Sequence, residues 1–256
     1  MNLINNNILI TGAAGRIGSA IAKEAINNGA NLILNDINSE KLQLLKTELL
    51  KIKKGKVLTI AANITNQEEI DFLIEQSFSK FKTINSAIHC AYPTSKEWGT
   101  KFEDLKFEFL EKDLSMQLGS AIIFSQKIIK KFKSQKMGNL IHISSIQGTN
   151  APKFEHYEGT SMSSPIEYSA IKSGIIAITK WLSKYYSNEG IRINCVSPGG
   201  ILDNQPRIFL DRYKKSCNNI GMLSSIDVAK VVIFLISKSS LGISGQNIIV
   251  DDGWSL

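Results

Sequence analysis

The chain has 256 residues, of which 43% are hydrophobic and 21% are charged, and its formal net charge is +7. This length allows a full hydrophobic core and fits one large α/β domain or two small ones. The basic residues are spread along the chain without a dense Lys/Arg block, so we expect no nucleic-acid partner, although a positive surface favours anionic small molecules.

The cysteines and the N-terminal segment indicate where the protein resides. Cys90, Cys195 and Cys217 are an odd number without CxxC spacing, which predicts reduced thiols, a cytoplasmic protein, and neither a disulfide frame nor a metal site. The three histidines show no spacing typical of metal ligands. The N-terminus lacks a signal-peptide pattern and no apolar run approaches ~18 residues, so we expect neither secretion nor a membrane span.

A glycine-rich turn follows the first predicted strand, 7–11, and precedes a helical stretch that continues to about Asn28. This order of strand, turn and helix is the context that a dinucleotide-binding loop requires. Gly12 permits the tight turn, Gly15 lets the backbone approach a pyrophosphate, and Gly18 allows close packing of the helix on the strand. Free N–H groups at the helix N-terminus then face the phosphates.

The second predicted strand, 31–35, ends at Asp36, which lies 18 residues after Gly18. A carboxylate at this place accepts hydrogen bonds from the adenosine ribose hydroxyls and repels a 2′-phosphate. The alternative is an Asp that caps the next helix. Arg16, a base near the loop, could tolerate a phosphate. We therefore expect NAD as the cofactor, with NADP as the weaker alternative.

The rest of the chain continues the alternation of helices and strands. Helices are predicted over 40–52, 67–81, 104–136, 168–188 and 226–237, and strands over 57–61, 84–90, 140–144, 192–196 and 246–250. The lysines near the end of the first of these helices are interpreted as a solvated helix end followed by a turn: Lys51, Lys53, Lys54 and Lys56. Strands separated by helices predict a doubly wound parallel sheet with helices on both faces, in a single domain over 1–256. Ligands bind such sheets at the carboxyl ends of the strands.

Tyr168 and Lys172 are four residues apart, so they share one face of a helix. A free phenol titrates near pH ~10, and a cation one turn away favours the phenolate. The pair therefore indicates a general acid/base. The alternative is a tyrosine and a lysine on an exposed helix face.

In the order and spacing of its motifs, the chain resembles the short-chain dehydrogenase/reductase family over essentially its whole length. The motifs are Thr11–Gly18, Asp36, Asn63–Thr65, Ser144–Ser145, Tyr168 with Lys172, Ser197–Gly200 and 245–253. The resemblance implies a Rossmann-type fold and transfer of hydride between a nicotinamide and an alcohol or ketone.

The resemblance also implies roles for the catalytic residues. Tyr168 exchanges a proton with the substrate oxygen, and Lys172 lowers the pKa of Tyr168 and holds the nicotinamide ribose. Ser145, rather than Ser144, hydrogen-bonds the substrate oxygen. Gln117 stands at the position of a usual catalytic Asn, and a water relay from it to Lys172 would survive in altered form.

The cofactor contacts implied by the resemblance come from six segments. They are Gly12, Gly15, Arg16, Ile17, Gly18, Asp36, Asn63, Ile64, Cys90, Ala91, Tyr168, Lys172, Pro198, Gly199 and Ile201. The chain departs from the family pattern at several of them. Arg16 replaces a Gly, Asn63 replaces an Asp, and Asp203 stands where a phosphate-binding Thr is usual. The sequence from His89 to Tyr92 replaces Asn-Asn-Ala-Gly, which puts the strand-stabilising role of that Asn in doubt.

Two loops are expected to contact the substrate, 146–167 and 200–222. In the first, Lys153, His156 and Tyr157 could contact hydroxyls or phosphate, and the alternative is a variable surface insertion. The stretches Cys90–Pro93, Tyr157–Met162 and Gly200–Pro206 are similar to those of bacterial oxidoreductases linked to flagellin glycosylation and legionaminic-type acid synthesis. That similarity implies a sugar phosphate or a nucleotide sugar as substrate.

Other functions and assemblies follow from the same observations. A catalytically impaired NAD-binding protein, acting as a sensor or partner subunit, is the alternative favoured by Gln117 and the altered Asn-Asn-Ala-Gly. A lipid or steroid alcohol dehydrogenase would need an apolar substrate loop, which the Ser, Thr and Glu of 155–167 disfavour. The apolar stripes of the helices over 104–136 and 168–188 imply a homodimer or homotetramer, as in the family.

Overall fold

In the computed structural model, which describes residues 1–52 and 54–256, seven parallel strands form one sheet in the order β3-β2-β1-β4-β5-β6-β7. The strands are β1 Asn7–Thr11, β2 Asn31–Asp36, β3 Val57–Ala61, β4 Ser86–His89, β5 Gly138–Ile143, β6 Ile191–Pro198 and β7 Asn247–Val250. The strand order reverses between β1 and β4, and the crevice for a ligand opens at this switch point. The predicted fold class is confirmed.

Eight α-helices within the described ranges connect these strands. They are α1 Arg16–Asn27, α2 Ser39–Leu50, α3 Gln67–Phe81, α4 Phe107–Leu114, α5 Ser120–Gln135, α6 Ile166–Tyr185, α7 Arg207–Lys215 and α8 Ser225–Ile236. The sheet has a core on each face because successive strand residues point to opposite sides. Ile8 and Ile10 of β1 pack with α1, α2 and α8, whereas Leu9 packs with α3 and α5.

Side chains in the sequence fix several helix starts. Asn38 caps α2 by accepting a hydrogen bond from the Lys41 N–H, and Asn66 caps α3 in the same way. Ser224 and Asp227 form a capping box at the start of α8. Lys53, one of the clustered lysines, lies outside the described residues.

The helix predicted over 104–136 is observed over 107–135, but it is not α-helical throughout. It consists of α4, a five-residue π-helical segment over Ser115–Gly119, and α5. A π-helical turn widens the helix locally and is frequent at functional sites. The predicted end of α6 at about Asn188 is also late, since the helix ends at Tyr185 and Asn188 adopts a φ of 69°. Within the described ranges, no helix combines the length and apolar character that crossing a lipid bilayer requires.

Candidate active site

A cavity of about 630 Å³ lies at the carboxyl ends of the central strands, and we call it the larger cavity. It is lined by Gly12, Gly15, Arg16, Ile17, Gly18, Asn35, Asp36, Ile37, Ala62, Asn63, Ile64, Cys90, Ala91, Tyr92, Pro93, Trp98, Ile143, Ser144, Gln147, Ser163, Ser164, Pro165, Tyr168 and Lys172. The structure therefore gathers twelve of the fifteen expected cofactor residues around one cavity. The other three, Pro198, Gly199 and Ile201, line the adjoining space described below.

Two glycines of the glycine-rich turn stand where the surrounding backbone leaves no space for a side chain. Gly12 has a φ of 63°, and a Cβ built on it would lie 2.6 Å from the Ala91 Cα. A Cβ on Gly18 would overlap the Gly12 carbonyl oxygen. Helix α1 starts after Gly15 without a side-chain cap and without an acidic residue in its first turn. Its N-terminus is therefore suited to the pyrophosphate of a dinucleotide.

Asp36 is held in place by backbone donors. Its Oδ2 accepts a hydrogen bond from the Ala14 N–H at 3.0 Å, and its Oδ1 accepts one from the Asn38 N–H at 3.1 Å. Each carboxylate oxygen can accept further bonds, so the group remains available to ribose hydroxyls. Arg16 forms an ion pair with Asp203 of the loop after β6. This pair links the glycine-rich turn to the loop that is expected to cover the substrate.

Asn63 and Ile64 border the larger cavity beyond Asp36. The Asn63 Oδ1 accepts hydrogen bonds from the N–H and the hydroxyl of Thr65, at 3.0 and 2.9 Å. Only its Nδ2 donor is left for an adenine base. The Asn63 backbone N–H donates to Glu69 at 2.7 Å, which fixes the turn between β3 and α3.

His89 takes over the strand-stabilising role that the altered Asn-Asn-Ala-Gly had put in doubt. Its Nδ1 lies 3.1 Å from the Thr11 hydroxyl across the β1–β4 pair, and its ring stacks on Phe124. The Thr11 oxygen also accepts bonds from the N–H groups of Cys90 and Ala91. Burial lowers the pKa of His89 to about 3, so the imidazole is neutral.

Tyr168 and Lys172 line the larger cavity, and Ser145 lies beside Tyr168. Lys172 is buried, and its Nζ donates a hydrogen bond to the Ile143 carbonyl oxygen at 3.2 Å. Burial lowers the pKa of Lys172 from 10.5 to about 8. Ser145 is 6% exposed, and it faces Tyr168 closely enough to act on the pKa of its phenol.

The expected lowering of the Tyr168 pKa by Lys172 is not what this structure shows. Burial raises the pKa of Tyr168 above 10.0, and the Ser145 hydroxyl acts in the opposite direction. Burial is the largest cause of this shift, because removing a phenol from water disfavours its charged form. Without a dinucleotide, Tyr168 is therefore a protonated phenol at neutral pH.

Gln117 lies in the π-helical segment and lines neither cavity. It is buried, and within the described part of the chain neither polar atom of its amide has a hydrogen-bond partner. Its main-chain carbonyl accepts a bond from the Ser120 hydroxyl at 3.1 Å. The side chain does not bond Lys172 directly, so the expected relay requires water between them.

A second space of about 250 Å³ adjoins the first at Tyr168, and we call it the smaller cavity. Its lining consists of Ile17, Ser144, Ser145, Ile146, Gln147, His156, Tyr157, Met162, Tyr168, Pro198, Gly199, Gly200, Ile201, Gln205, Phe209, Tyr213, Met222 and Trp254. None of these residues is Asp, Glu, Lys or Arg. Burial lowers the pKa of His156, so this ring is also uncharged at neutral pH.

Several polar side chains of the loop 146–167 line the cavities as expected, but Lys153 does not. Lys153 donates to the Trp254 carbonyl oxygen at 3.2 Å and lies over the Trp254 ring, so it braces the C-terminal segment. The His156 Nε2 lies 3.0 Å from the Ser216 hydroxyl. Tyr157 accepts a bond from the Gln147 amide at 3.3 Å. The imidazole and phenol line the smaller cavity, whereas Lys153 lies outside it.

Several lining residues were missed in the sequence. Tyr92 and Trp98 line the larger cavity, and Phe209, Tyr213 and Trp254 form an aromatic wall of the smaller one. Tyr92 could have been found from its place directly after a strand end. The three wall residues come from α7 and the C-terminal segment, and no local pattern indicates that they meet.

The fold and the site together define a dinucleotide-binding oxidoreductase of the Rossmann type. A family model described as "Enoyl-(Acyl carrier protein) reductase" matches residues 12–255. Because this match covers nearly all of the chain, the protein belongs to the short-chain dehydrogenase/reductase family.

Known relatives cover the chain along its whole length. It is 43% identical over 255 residues to the post-translational flagellin modification protein A of Campylobacter coli, which covers 99% of this chain and 100% of that protein. It is 27% identical to a 7alpha-hydroxysteroid dehydrogenase of Bacteroides fragilis, over 100% of this chain and 97% of that protein. A short chain dehydrogenase from Leptospira borgpetersenii, solved with bound NAD+, superposes with a TM-score of 0.85 at 28% identity, over 100% of this chain and 94% of the other.

Proposed function

We propose that this protein is an NAD(H)-dependent oxidoreductase that transfers hydride between the nicotinamide and an alcohol or ketone of a sugar derivative. The observation that carries the proposal is the position of Tyr168, Lys172 and Ser145 where the two cavities meet. Their convergence at the end of a dinucleotide-sized cleft argues against the catalytically impaired alternative.

The choice of NAD over NADP is supported by the surroundings of Asp36. Its carboxylate faces the cavity at the end of β2, where it would repel a 2′-phosphate. Arg16, the base that could have attracted such a phosphate, is paired with Asp203 instead. The solved Leptospira relative with bound NAD+ is consistent with this choice.

The residues suggest a division of labour in the reaction. When bound, the nicotinamide would supply or accept the hydride. Tyr168 would hold the proton that the substrate oxygen gains on reduction, and its raised pKa keeps the phenol protonated until then. Ser145 would orient that oxygen by a hydrogen bond. Lys172 would bind the ribose and supply the positive charge that offsets a developing phenolate.

The smaller cavity supports a single ring as the reacting part of the substrate. Its wall of Phe209, Tyr213 and Trp254 offers flat aromatic surface, and Gln147 and His156 offer hydrogen bonds. Such a mixture of apolar walls and a few polar groups is typical of small-molecule sites. Because no charged side chain lines it, a phosphate or nucleotide on the sugar would lie outside this cavity. The flagellin-modification relative supports a role in such a modification, and the resemblance to oxidoreductases linked to flagellin glycosylation supports a sugar as the substrate.

We further propose a homodimer or homotetramer in a reducing compartment such as the cytoplasm. Large apolar side chains are exposed on neighbouring helices: Ile122 on α5 is 45% exposed, and Trp181 and Tyr185 on α6 are 60% and 65% exposed. Burial between subunits would remove this surface from water.

The cysteines bear on the compartment. All three are free thiols, which fits a reducing environment.

A panel of sugars tests the proposed function. Uncharged monosaccharides, their phosphates and nucleotide sugars would be offered with NAD+, and the corresponding keto sugars with NADH, while the absorbance of NADH is followed. We expect turnover of at least one sugar derivative, and none by the Tyr168→Phe variant. Turnover confined to steroid or acyl substrates would contradict the substrate class, and turnover that survives in the variant would contradict the mechanism.

A further inference from the structure

The Lys172 ammonium has few groups to stabilise its charge. It is buried, and the only hydrogen bond that its Nζ makes within the described residues is to the Ile143 carbonyl oxygen. The titratable groups that face it from β4 and β6 are His89, Cys90 and Cys195. Burial raises the pKa of both thiols to about 12, and His89 is also neutral. No carboxylate of the described chain is paired with this lysine.

Two aromatic rings also lie close to the ammonium. The Lys172 Nζ lies 5.2 Å from the centroid of the Tyr92 ring and 5.5 Å from that of the Tyr168 ring. A cation within about 6 Å of such a ring is attracted by the electrons of its face, and the attraction is largest when the cation is desolvated. Tyr92 therefore provides a stabilising contact that does not depend on a carboxylate.

Tyr92 is itself held in position by its neighbours. Its ring meets Tyr168 edge-on at 5.8 Å and Trp98 edge-on at 5.6 Å. The loop that carries it is fastened by Asp113, whose carboxylate accepts bonds at 2.9 Å from both the N–H and the hydroxyl of Ser95. This side chain stands where the family pattern has a glycine, so a glycine there could not make the contact.

We propose that Tyr92 is a positioning residue, whose aromatic face holds the Lys172 ammonium beside Tyr168. The proposal rests on the proposed function for its catalytic meaning, but the contact can be measured without any substrate. Loss of the ring without entry of water would destabilise the charged form of Lys172. The lysine would then lose its proton at a lower pH.

The test measures the pKa of Lys172 directly, by NMR of the side-chain carbons of labelled lysine in the protein without dinucleotide. Tyr92→Leu keeps an apolar group of similar bulk but removes the ring, and we expect it to lower the pKa by about one unit. Tyr92→Phe keeps the ring, and we expect no change. An unchanged or raised pKa in Tyr92→Leu, with Tyr92→Phe also unchanged, would overturn the proposal.

A matched control separates this contact from lysine–tyrosine contacts in general. The Lys133 Nζ lies 5.7 Å from the Tyr186 ring at the surface, and Tyr186→Leu should leave the pKa of Lys172 unchanged. If Tyr92→Leu does not fold, Tyr92→Met replaces it in the test, because it also lacks a ring. We expect the same one-unit decrease in the pKa of Lys172.

Kinetics then distinguish the two proposals. In an active enzyme, the alkaline fall of kcat/KM should move to lower pH in Tyr92→Leu and return to its original position in Tyr92→Phe. A lowered pKa in a protein that turns over none of the sugars would support the contact and reject the proposed function. An unchanged pKa of Lys172 in an active enzyme would reject the contact and support the proposed function.

Discussion

The larger and the smaller cavity meet at Tyr168 but are built by different means. Backbone atoms at strand ends form much of the larger one, with a glycine-rich turn and an Asp36 carboxylate held by two N–H groups. Side chains from distant segments form the smaller one, with an aromatic wall from α7 and the C-terminus. Backbone geometry suits a cofactor that many proteins share, whereas side chains allow a substrate to be chosen.

The largest effect is expected where the two cavities join. Tyr168→Phe removes the phenol that exchanges the proton but keeps the ring, so turnover should fall by about 10² to 10⁴-fold. Binding of NADH, followed by fluorescence, should change by less than about threefold, since the removed hydroxyl belongs to the chemical step. Equal losses of binding and turnover would mean that Tyr168 is a structural residue.

A steric change in the glycine-rich turn should weaken dinucleotide binding in the larger cavity and leave the smaller cavity unaffected. Gly12→Ala places a Cβ 2.6 Å from the Ala91 Cα at a φ of 63°, so we expect NADH binding to weaken by at least about tenfold. The matched control is Gly242→Ala, where an added Cβ meets no atom within 4 Å. Calorimetric titration of NADH into both variants measures the difference. Equal affinities for NADH would contradict the assignment of this turn to dinucleotide binding.

The charge of Asp36 should set the choice of dinucleotide. Asp36→Ala removes two acceptors for the ribose hydroxyls and the repulsion of a 2′-phosphate, so NADH binding should weaken by about tenfold while NADPH binding improves. The ratio of the dissociation constants of NADH and NADPH measures this change in preference. A wild-type protein that already preferred NADPH would refute the role of Asp36.

A change in the aromatic wall should affect the smaller cavity and leave the larger one intact. Phe209→Leu removes a ring but keeps much of the apolar volume, so KM for the sugar substrate should rise by about fivefold. The dissociation constant of NADH should stay within about twofold of the wild type. If the NADH constant changed as much as KM, the two cavities would not be separable.

The smallest expected effect is the pH dependence of dinucleotide binding. The Lys172 pKa is lowered from 10.5 to about 8, so the free protein loses its ammonium as the pH rises through that value. Binding of NADH should be constant below it and weaken several-fold by about pH 9. Lys172→Met should bind more weakly at every pH without this slope, and a flat wild-type profile would contradict the ribose contact.

The two cavities also differ in how far the sequence could predict them. The turn from Gly12 to Gly18, the position of Asp36 and the Tyr168–Lys172 pair depend on short spacings, which local geometry fixes. The doubly wound parallel sheet follows from the alternation of helices and strands, and the structure confirms it, whereas the order of the strands was not predicted.

The aromatic wall could not be predicted as a whole, because the four-residue spacing of Phe209 and Tyr213 shows only that these two share a helix face. Trp254 lies 41 residues beyond Tyr213 (254 − 213), and only packing stacks its ring on that of Tyr213 at 5.8 Å. The pKa of Tyr168 was expected in the wrong direction for a related reason. Spacing shows that a lysine is one turn away, but the burial that raises the pKa of Tyr168 depends on the whole fold.

The central claim is that a dinucleotide spans the larger cavity and places its nicotinamide beside Tyr168. A crystal structure of the complex with NAD+ tests it most directly. The account predicts that Asp36 binds the adenosine ribose and that the nicotinamide ring contacts Tyr168, with Lys172 on its ribose. A ring lying away from the phenol, or a protein that binds no dinucleotide, would contradict the account.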